Sequence, residues 1–439
     1  MKEKFLKALE DKDFSELFKK GGISLFLRIG GQVMGFLMSF VVAHYFGAKG
    51  LGNYVLAIVV LRIFTLVSKL GLDTFSIRFI ASFAKQGKWK SIQLFRKKII
   101  TIVSITSLIS SVVMFIFSFE IANLVNTRLE YIELSSFFVL PMVFFMLHYQ
   151  SLRGLKRIAE FSFFYRMSQA TFSIAGLFLI SQFIQSDKIP IYAYLTSLCT
   201  VSLLSYVSYY YWFNKKCNFA GDGRHHPTTF ERKDEYGFVI YGSYEEQEEV
   251  EDIEDLPLKQ MLKISLPLMF AQSVQFIMAW TDKLMLGNML GPESVAIYGV
   301  AFRFSMGVSI TLMAINSIAS PKFAEKFTNN DISGMGKVAM QSAKLIFWTT
   351  IPLASILLIF PKFFMGIYGS EFLIGVEVLR WLIIGRVVNA LSGSVGNLMQ
   401  MTGQQNNYMK ILIAGSIINV TLNYILIPIY GIKGAAFAS

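Results

Sequence analysis

Cysteine is almost missing: Cys199 and Cys217 are the only two in 439 residues. That excludes a disulfide framework and any cysteine-based zinc spacing. Histidine is nearly as scarce, and the pair His225 and His226 lacks the further ligands a metal site wants. Charged residues make up only 16% of the chain, against 54% apolar residues. A soluble domain cannot hide 41 phenylalanines and the accompanying Leu and Ile in one core, so lipid is the expected solvent. A cleavable signal peptide is not expected. The first apolar run starts near Gly21, behind the polar stretch MKEKFLKALEDKDFSELFKK, and is about twice as long as a typical signal core. That leader sets Phe5, Leu6, Leu9, Phe14, Leu17 and Phe18 near one face, which suits a helix on the cytoplasmic membrane surface. An ordinary soluble tail fits it as well.

What the sequence has in quantity is long apolar runs. A bilayer crossing needs about 20 mostly apolar residues. Candidates fall at 21–46, 53–80, 97–119, 132–152, 161–185, 189–213, 260–286, 294–320, 340–361, 375–400 and 408–430. A twelfth begins at GIKGAAFAS, where the sequence stops, so a truncated final helix is expected. Of the 41 lysines and arginines, eight are counted as span residues, and those in the end turns of a span are counted with the adjoining loop. Lys49, Arg128, Lys188, Lys362 and Lys433 lie between spans on one side, and all the others lie on the opposite side. The positive-inside rule puts that richer side, with the N-terminus, in the cytoplasm. The net charge of +12 is therefore topological and calls for no nucleic acid.

FGAKGLGNYVLA at 46–57 and LGPESVAIYGVA at 290–301 are near-copies 244 positions apart. The same offset pairs Gly47 with Gly291, Tyr54 with Tyr298 and Ala57 with Ala301, and it carries each later span of the first half onto one of the second. Six is an even number of crossings, so the two halves are parallel repeats about an axis along the membrane normal, with a cleft between them. The expectation is an all-α integral membrane protein of two parallel six-helix lobes. Its parts are a cytoplasmic N-terminal segment 1–20, an N-lobe 21–213, an acidic cytoplasmic linker 214–258, and a C-lobe 259–439 with five helices and the start of a sixth. Within the linker, EEQEEVEDIED is expected to stay solvated.

Arg28, Arg62, Lys69, Arg166, Lys283, Arg303, Arg380 and Arg386 are the charges inside the spans, each costing ~2.5–3.5 kcal/mol at the bilayer centre. Arg28 and Arg166 lie near a cytoplasmic end and can snorkel. Arg380 follows Glu377 by one turn and reads as paired; Lys283 next to Asp282 reads as facing a cleft mouth. Arg62, Arg303 and Arg386 are deepest. With the offset removed, Arg303 lies one helical turn from Arg62 on the same face of a sister helix. Lys69 and Asp73 extend that face, either as a salt bridge or as part of the cleft. Guanidinium forks at membrane depth suit phosphate or pyrophosphate better than a cation. Gly30, Gly31 and Gly35 mark close helix packing, with a bending point as the other reading.

The stretches SLPLMFAQSVQFIMAWTDKLMLGNMLGPESVAIYGVAFR at 265–303, LGLDTFSIRFIA at 70–81 and LIPIYGIKGAAFA near the end resemble polysaccharide-export (Wzx-like) flippases. These move O-antigen, teichoic or capsule repeat units and belong to the MATE-like multidrug/oligosaccharidyl-lipid/polysaccharide superfamily. The resemblance covers nearly all of the chain outside the acidic linker. It implies the twelve-helix MATE-like fold and translocation of an undecaprenyl-pyrophosphate-linked oligosaccharide across the cytoplasmic membrane by alternating access, without catalysis. It further implies that membrane arginines hold the pyrophosphate; the matching positions are Arg28, Arg62 and Arg303, and depth adds Arg386. Asp73 and Asp282 are candidate acids for coupling to Na+, H+ or neither, and no other cofactor is expected. Expected partners are the lipid-linked oligosaccharide pyrophosphate, membrane lipids, and a polysaccharide polymerase and glycosyltransferases. A multidrug antiporter of the same superfamily shares the fold, but cationic drugs favour a cavity in which acids outnumber bases. A membrane polymerase would need a sizeable outer loop with catalytic groups, and the outer loops are short.

Overall fold

A computed structural model describes residues 12–221, 230–233, 239–242 and 256–439. Most of the leader, His225, His226 and the acidic run at 245–255 lie outside the described residues. The described residues are almost entirely helical, because a backbone in lipid must satisfy its own N–H and C=O groups. The first half runs α1 (Lys12–Ser68), α2 (Leu72–Lys85), α3 (Trp89–Ile116), α4 (Ser118–Val125), α5 (Leu129–Ser136) and α6 (Val139–Gly154). Then come α7 (Ile158–Ser162), a π-helical turn (Phe163–Ser168), α8 (Gln169–Ser181) and α9 (Ile189–Gly221). Two short strands, β1 (Phe230–Lys233) and β2 (Val239–Gly242), pair antiparallel within the linker. The second half has α10 (Leu258–Leu290), α11 (Pro292–Val308), α12 (Ile310–Thr328), α13 (Ile332–Ile359) and α14 (Pro361–Gly366). A 3-10 turn (Ser370–Gly375), α15 (Val376–Ser392), α16 (Val395–Met401), α17 (Gln405–Tyr430) and α18 (Ile432–Ala438) complete it.

The duplicated phrase is duplicated in backbone angles. Gly47 breaks α1 with φ 68 and ψ −177, and Gly291 separates α10 from α11 with φ 87 and ψ 177. Only glycine enters that region without strain. The helices that follow the pair correspond too: α3 and α13 are both 28 residues long, and each leads into a short helix.

Among the described residues six helices are long and apolar enough to cross a bilayer, or seven if α5 and α6, bent by 54°, form one span. The first of these runs through the Gly47 break and so contains two crossings. Several runs that the sequence presents as continuous are interrupted. The run at 53–80 breaks at Leu70 and Gly71, both with positive φ. The run at 161–185 widens into the π-turn, and those at 294–320 and 375–400 break at Ser309 and Gly393. Hydropathy averages over such breaks, because the residues at them stay apolar or small.

The halves meet most closely at the end of the molecule that holds Gly47. A Cβ on Gly52 would lie 1.8 Å from the Pro292 carbonyl oxygen, and one on Gly287 would lie 2.7 Å from Leu56 and 2.9 Å from the Val125 carbonyl. Backbone and short side chains therefore touch directly, as small residues permit in membrane helices. The Ala48 N–H donates to the Glu371 carboxylate at 2.7 Å, and Asn288 donates to the Leu124 carbonyl at 2.6 Å. Further along the axis the halves separate around the cavities described next and close again at Gly71, where a Cβ would lie 2.2 Å from the Ser265 carbonyl oxygen of α10.

Candidate functional site: a cationic cavity between the halves

A cavity of about 500 Å³ is lined by α1, α8, α9, α10 and α11. Arg62, Arg166, Lys283 and Arg303 face it, together with Trp280, Tyr54 and Gln169. A second pocket of about 280 Å³ adjoins it within the first half and shares Arg62, Arg166, Gln32 and Gln169 with it. Arg28 joins there, with Tyr149, Tyr165 and Tyr194. Among the described residues five cations thus line two connected spaces, and no Asp or Glu lines either one.

Local structure explains each position. Arg62 projects from the second segment of α1; its guanidinium lies 5.3 Å from the Trp280 ring, and its buried Nε has no hydrogen-bond partner among the described residues. Arg303, on α11, donates to the Gly35 carbonyl of α1. Arg166 rides on the π-turn, 4.4 Å over the Tyr165 ring. Lys283, on α10, sits 4.3 Å from the Trp280 ring and 4.8 Å from the Phe302 ring. Rings that face cations in a low-dielectric space stabilise them, but aromatic faces carry no charge. The cluster remains an excess of positive charge that an anion would neutralise. Besides Arg62 Nε, Gln169 Oε1 and the Tyr194 hydroxyl are buried in the lining without a hydrogen-bond partner among the described residues.

The structure brings Arg28 and Arg62 to one pocket and Arg62 and Arg303 to the other. Arg386 does not line either space; it lies 5.1 Å over the Phe302 ring. Arg166 and Lys283 do line the cavity. Depth counted along an ideal helix assigned Arg166 to snorkelling, and the π-turn changes the direction in which that side chain leaves the helix. The signal available for Lys283 was its neighbour Trp280, one turn away.

The acids behave differently. Asp73 forms an ion pair with Lys69 at 2.8 Å, and Lys69 also donates to Gln272 of α10, so this pair bridges the halves. Asp282 is buried and accepts four hydrogen bonds. They come from the Tyr298 hydroxyl at 2.6 Å, Asn423 at 2.8 Å, the Ser439 hydroxyl at 2.8 Å and Asn419 at 3.3 Å. Arg380 pairs with Glu377 at 2.7 Å. Among the described residues no group of three or more His, Cys, Asp or Glu is placed to hold a metal ion.

Comparison with known proteins agrees with this architecture. Residues 17–327 match the family "Polysaccharide biosynthesis protein", and residues 267–425 match the MatE family. A 165-residue stretch is 27% identical to the probable low-salt glycan biosynthesis flippase Agl15 of Haloferax volcanii, covering 37% of this chain and 35% of that protein. The chain therefore spans about a third of the length of the curated relative it matches. Two solved structures share the fold. One is the inward-facing conformation of a multidrug resistance MATE family transporter of the MOP superfamily, with TM-score 0.66 and 16% identity over 94% of this chain and 93% of that one. The other is the lipid II flippase MurJ in an inward closed conformation, with TM-score 0.66 and 14% identity over 94% and 83%. These relatives are transporters and flippases rather than catalysts, and the fold is that of membrane transporters. The chain belongs to the polysaccharide biosynthesis protein family.

Proposed function

We propose that the chain is a flippase for a lipid-linked oligosaccharide. A polyprenyl-pyrophosphate glycan enters the cavity from the cytoplasmic leaflet of the cell membrane, with its lipid tail left in the bilayer. The cations hold the pyrophosphate, and the two halves then rock to expose the glycan outside. The lysine and arginine asymmetry favours a cytoplasmic N-terminus, which makes the Gly47 end the outer one. Glycosyltransferases that build the glycan and a polymerase that consumes it are the expected partners. The observation that carries this reading is five lining cations with no lining carboxylate among the described residues. A cationic drug would meet repulsion in such a space, which disfavours the multidrug-antiporter reading.

Coupling to an ion belongs to the same reading. Of the two acids, Asp282 is the better candidate, because its oxygens gather hydroxyl and amide groups rather than a lysine. All four groups donate to the carboxylate, and the buried amide oxygens of Asn419 and Asn423, which have no hydrogen-bond partner among the described residues, add the oxygens that Na+ needs; a proton is the other reading. The test of the main reading is genetic. A strain lacking the protein should accumulate lipid-linked glycan and recover with the wild-type chain, but not with Arg62→Ala or Arg303→Ala. Normal surface glycan from both variants would sink the pyrophosphate clamp.

A further inference from the structure

About two helical turns beyond Arg62, where α1 gives way to α2, the backbone leaves the helix at Leu70 and Gly71, with φ 49 and 73. A leucine enters the left-handed region only where its surroundings hold it there. One support comes from the first half. The Ser68 carbonyl, freed by the break, accepts from the Thr106 hydroxyl of α3 at 2.6 Å. The other comes from the second half, whose helix α10 lies directly on the break. A Cβ on Gly71 would lie 2.2 Å from the Ser265 carbonyl oxygen and 2.9 Å from the Met269 nitrogen, an approach that only glycine allows.

Side chains lock the same contact. Lys69 and Asp73, both buried, pair across the break at 2.8 Å. Lys69 also donates to Gln272 of α10, and the Gln272 amide donates back to the Thr74 hydroxyl at 2.8 Å. The ion pair lies wholly in the first half, so it survives if α10 moves away; only the two Gln272 bonds and the Gly71 contact are lost. Asp73 Oδ1 and the Ser265 hydroxyl are buried without a hydrogen-bond partner among the described residues, and water entering the parted seam would satisfy both. Pro267 interrupts α10 between Ser265 and Met269 and removes a backbone hydrogen bond where that helix can bend away. With the 244-residue offset, Lys69, Gly71 and Asp73 correspond to Met313, Ile315 and Ser317, so the repeat carries no second copy of this lock.

We propose that the Gly71–Ser265 contact and the Lys69–Gln272–Thr74 hydrogen bonds form the cytoplasmic gate of the cavity, which opens when α10 lifts off α2 while the contacts at the Gly47 end stay closed. Its direction rests on the flippase reading above, which puts the Gly47 end outside; the gate itself does not depend on the cargo.

The test uses the full chain with Cys199→Ser, Cys217→Ser and a reporter, Gly299→Cys. Gly299 lines the cavity, and a Cβ there would meet nothing within 4 Å. A membrane-impermeant maleimide is added to inside-out vesicles or to intact cells. Gln272→Ala removes both bonds and should speed labelling from the cytoplasmic face about tenfold, and Thr74→Ala, which removes one, about threefold. Labelling of intact cells should not rise. Faster labelling from both faces, or from neither, overturns the gate. A second arm replaces the reporter with Thr74→Cys and Gln272→Cys and bridges them with a short bis-methanethiosulfonate. In liposomes the bridged chain should move a fluorescent polyprenyl-pyrophosphate glycan about tenfold more slowly than the unbridged one and recover on reduction. A bridged chain that transports at the full rate would make the contact a fixed pivot and overturn the gate, while the flippase reading stands. If wild type moves no glycan, the flippase reading falls and the labelling decides the gate; if Gln272→Ala does not fold, the bridge decides it.

Discussion

The two halves repeat one backbone and carry opposite chemistry. With the 244-residue offset, Arg28, Arg62 and Arg166 correspond to Gln272, Met306 and Lys410, while Asp282, Asn419 and Asn423 correspond to Met38, Ala175 and Leu179. The first half thus builds an arginine pocket where the second has little charge. The second builds a nest for one carboxylate where the first is apolar. Tyr54 and Tyr298 show the divergence at a shared residue: Tyr54 packs edge-on against Tyr194 with centroids 5.8 Å apart, and Tyr298 donates to Asp282. Duplication kept the helix breaks at Gly47 and Gly291 and freed the polar positions to specialise, in our proposal one half for an anionic cargo and the other for a coupling ion.

The largest expected effect breaks the arginine side of this contrast. An Arg62→Gln, Arg166→Gln double variant removes two charge-assisted contacts, each ~1.5–3 kcal/mol, and should lower glycan export by about two orders of magnitude or more. The second-half counterpart, Lys410→Gln, should leave export within twofold. Quantifying surface glycan and accumulated lipid-linked precursor in a deletion strain measures both. Equal losses would erase the asymmetry.

Next in size is the carboxylate nest. Asp282→Ala leaves the Asn423 amide and the Tyr298 hydroxyl buried without their acceptor, which should destabilise the protein by ~1–3 kcal/mol, read as a lower melting temperature in detergent. Asp282→Asn should retain the fold better and abolish any dependence of transport on Na+ or on a proton gradient. Persistence of that dependence would move coupling elsewhere.

The fold was largely legible in the sequence, because lipid forces helices and a gapless offset betrays duplication. The broken helices were not. Leu70, Ser309 and Gly393 sit in apolar runs, and their breaks are set by how the helices pack across one another. The cavity was legible where charge was deep and unpaired, at Arg62 and Arg303. It was illegible where side-chain direction decided the matter: Arg166 turns inward on a π-turn, and Arg386, equally deep, lies against Phe302 outside the lining. Asp73, read beside Lys69, does form that pair.

Two smaller changes probe the ends of the repeat. Gly52→Ala pushes a methyl group into the Pro292 carbonyl and should cost ~1–3 kcal/mol as overpacking. It should also raise labelling of cysteines placed near Gly47, since the contact closes that end. Smallest is the cap of α13. Asp331 accepts from the Gly334 N–H at 2.7 Å and from Lys326 at 2.9 Å, whereas Lys88 at the start of α3 provides no side-chain cap. Lys326, then the Gly334 N–H, hold the Asp331 carboxyl below its ordinary range. Its contribution is therefore present above the unfolded carboxyl pKa and lost as pH falls through the folded one. Asp331→Ala should melt slightly below wild type at neutral pH and coincide with it in strong acid.

The most direct measurement reconstitutes the purified chain in liposomes carrying a fluorescent polyprenyl-pyrophosphate oligosaccharide in one leaflet, and follows exposure of the sugar to an enzyme added on the opposite side. Rapid exposure with wild type, slowed to the protein-free rate by the Arg62→Gln, Arg166→Gln pair, is the predicted result. Exposure that is equally fast with the double variant, or absent with wild type while a cationic dye is moved instead, would contradict the account.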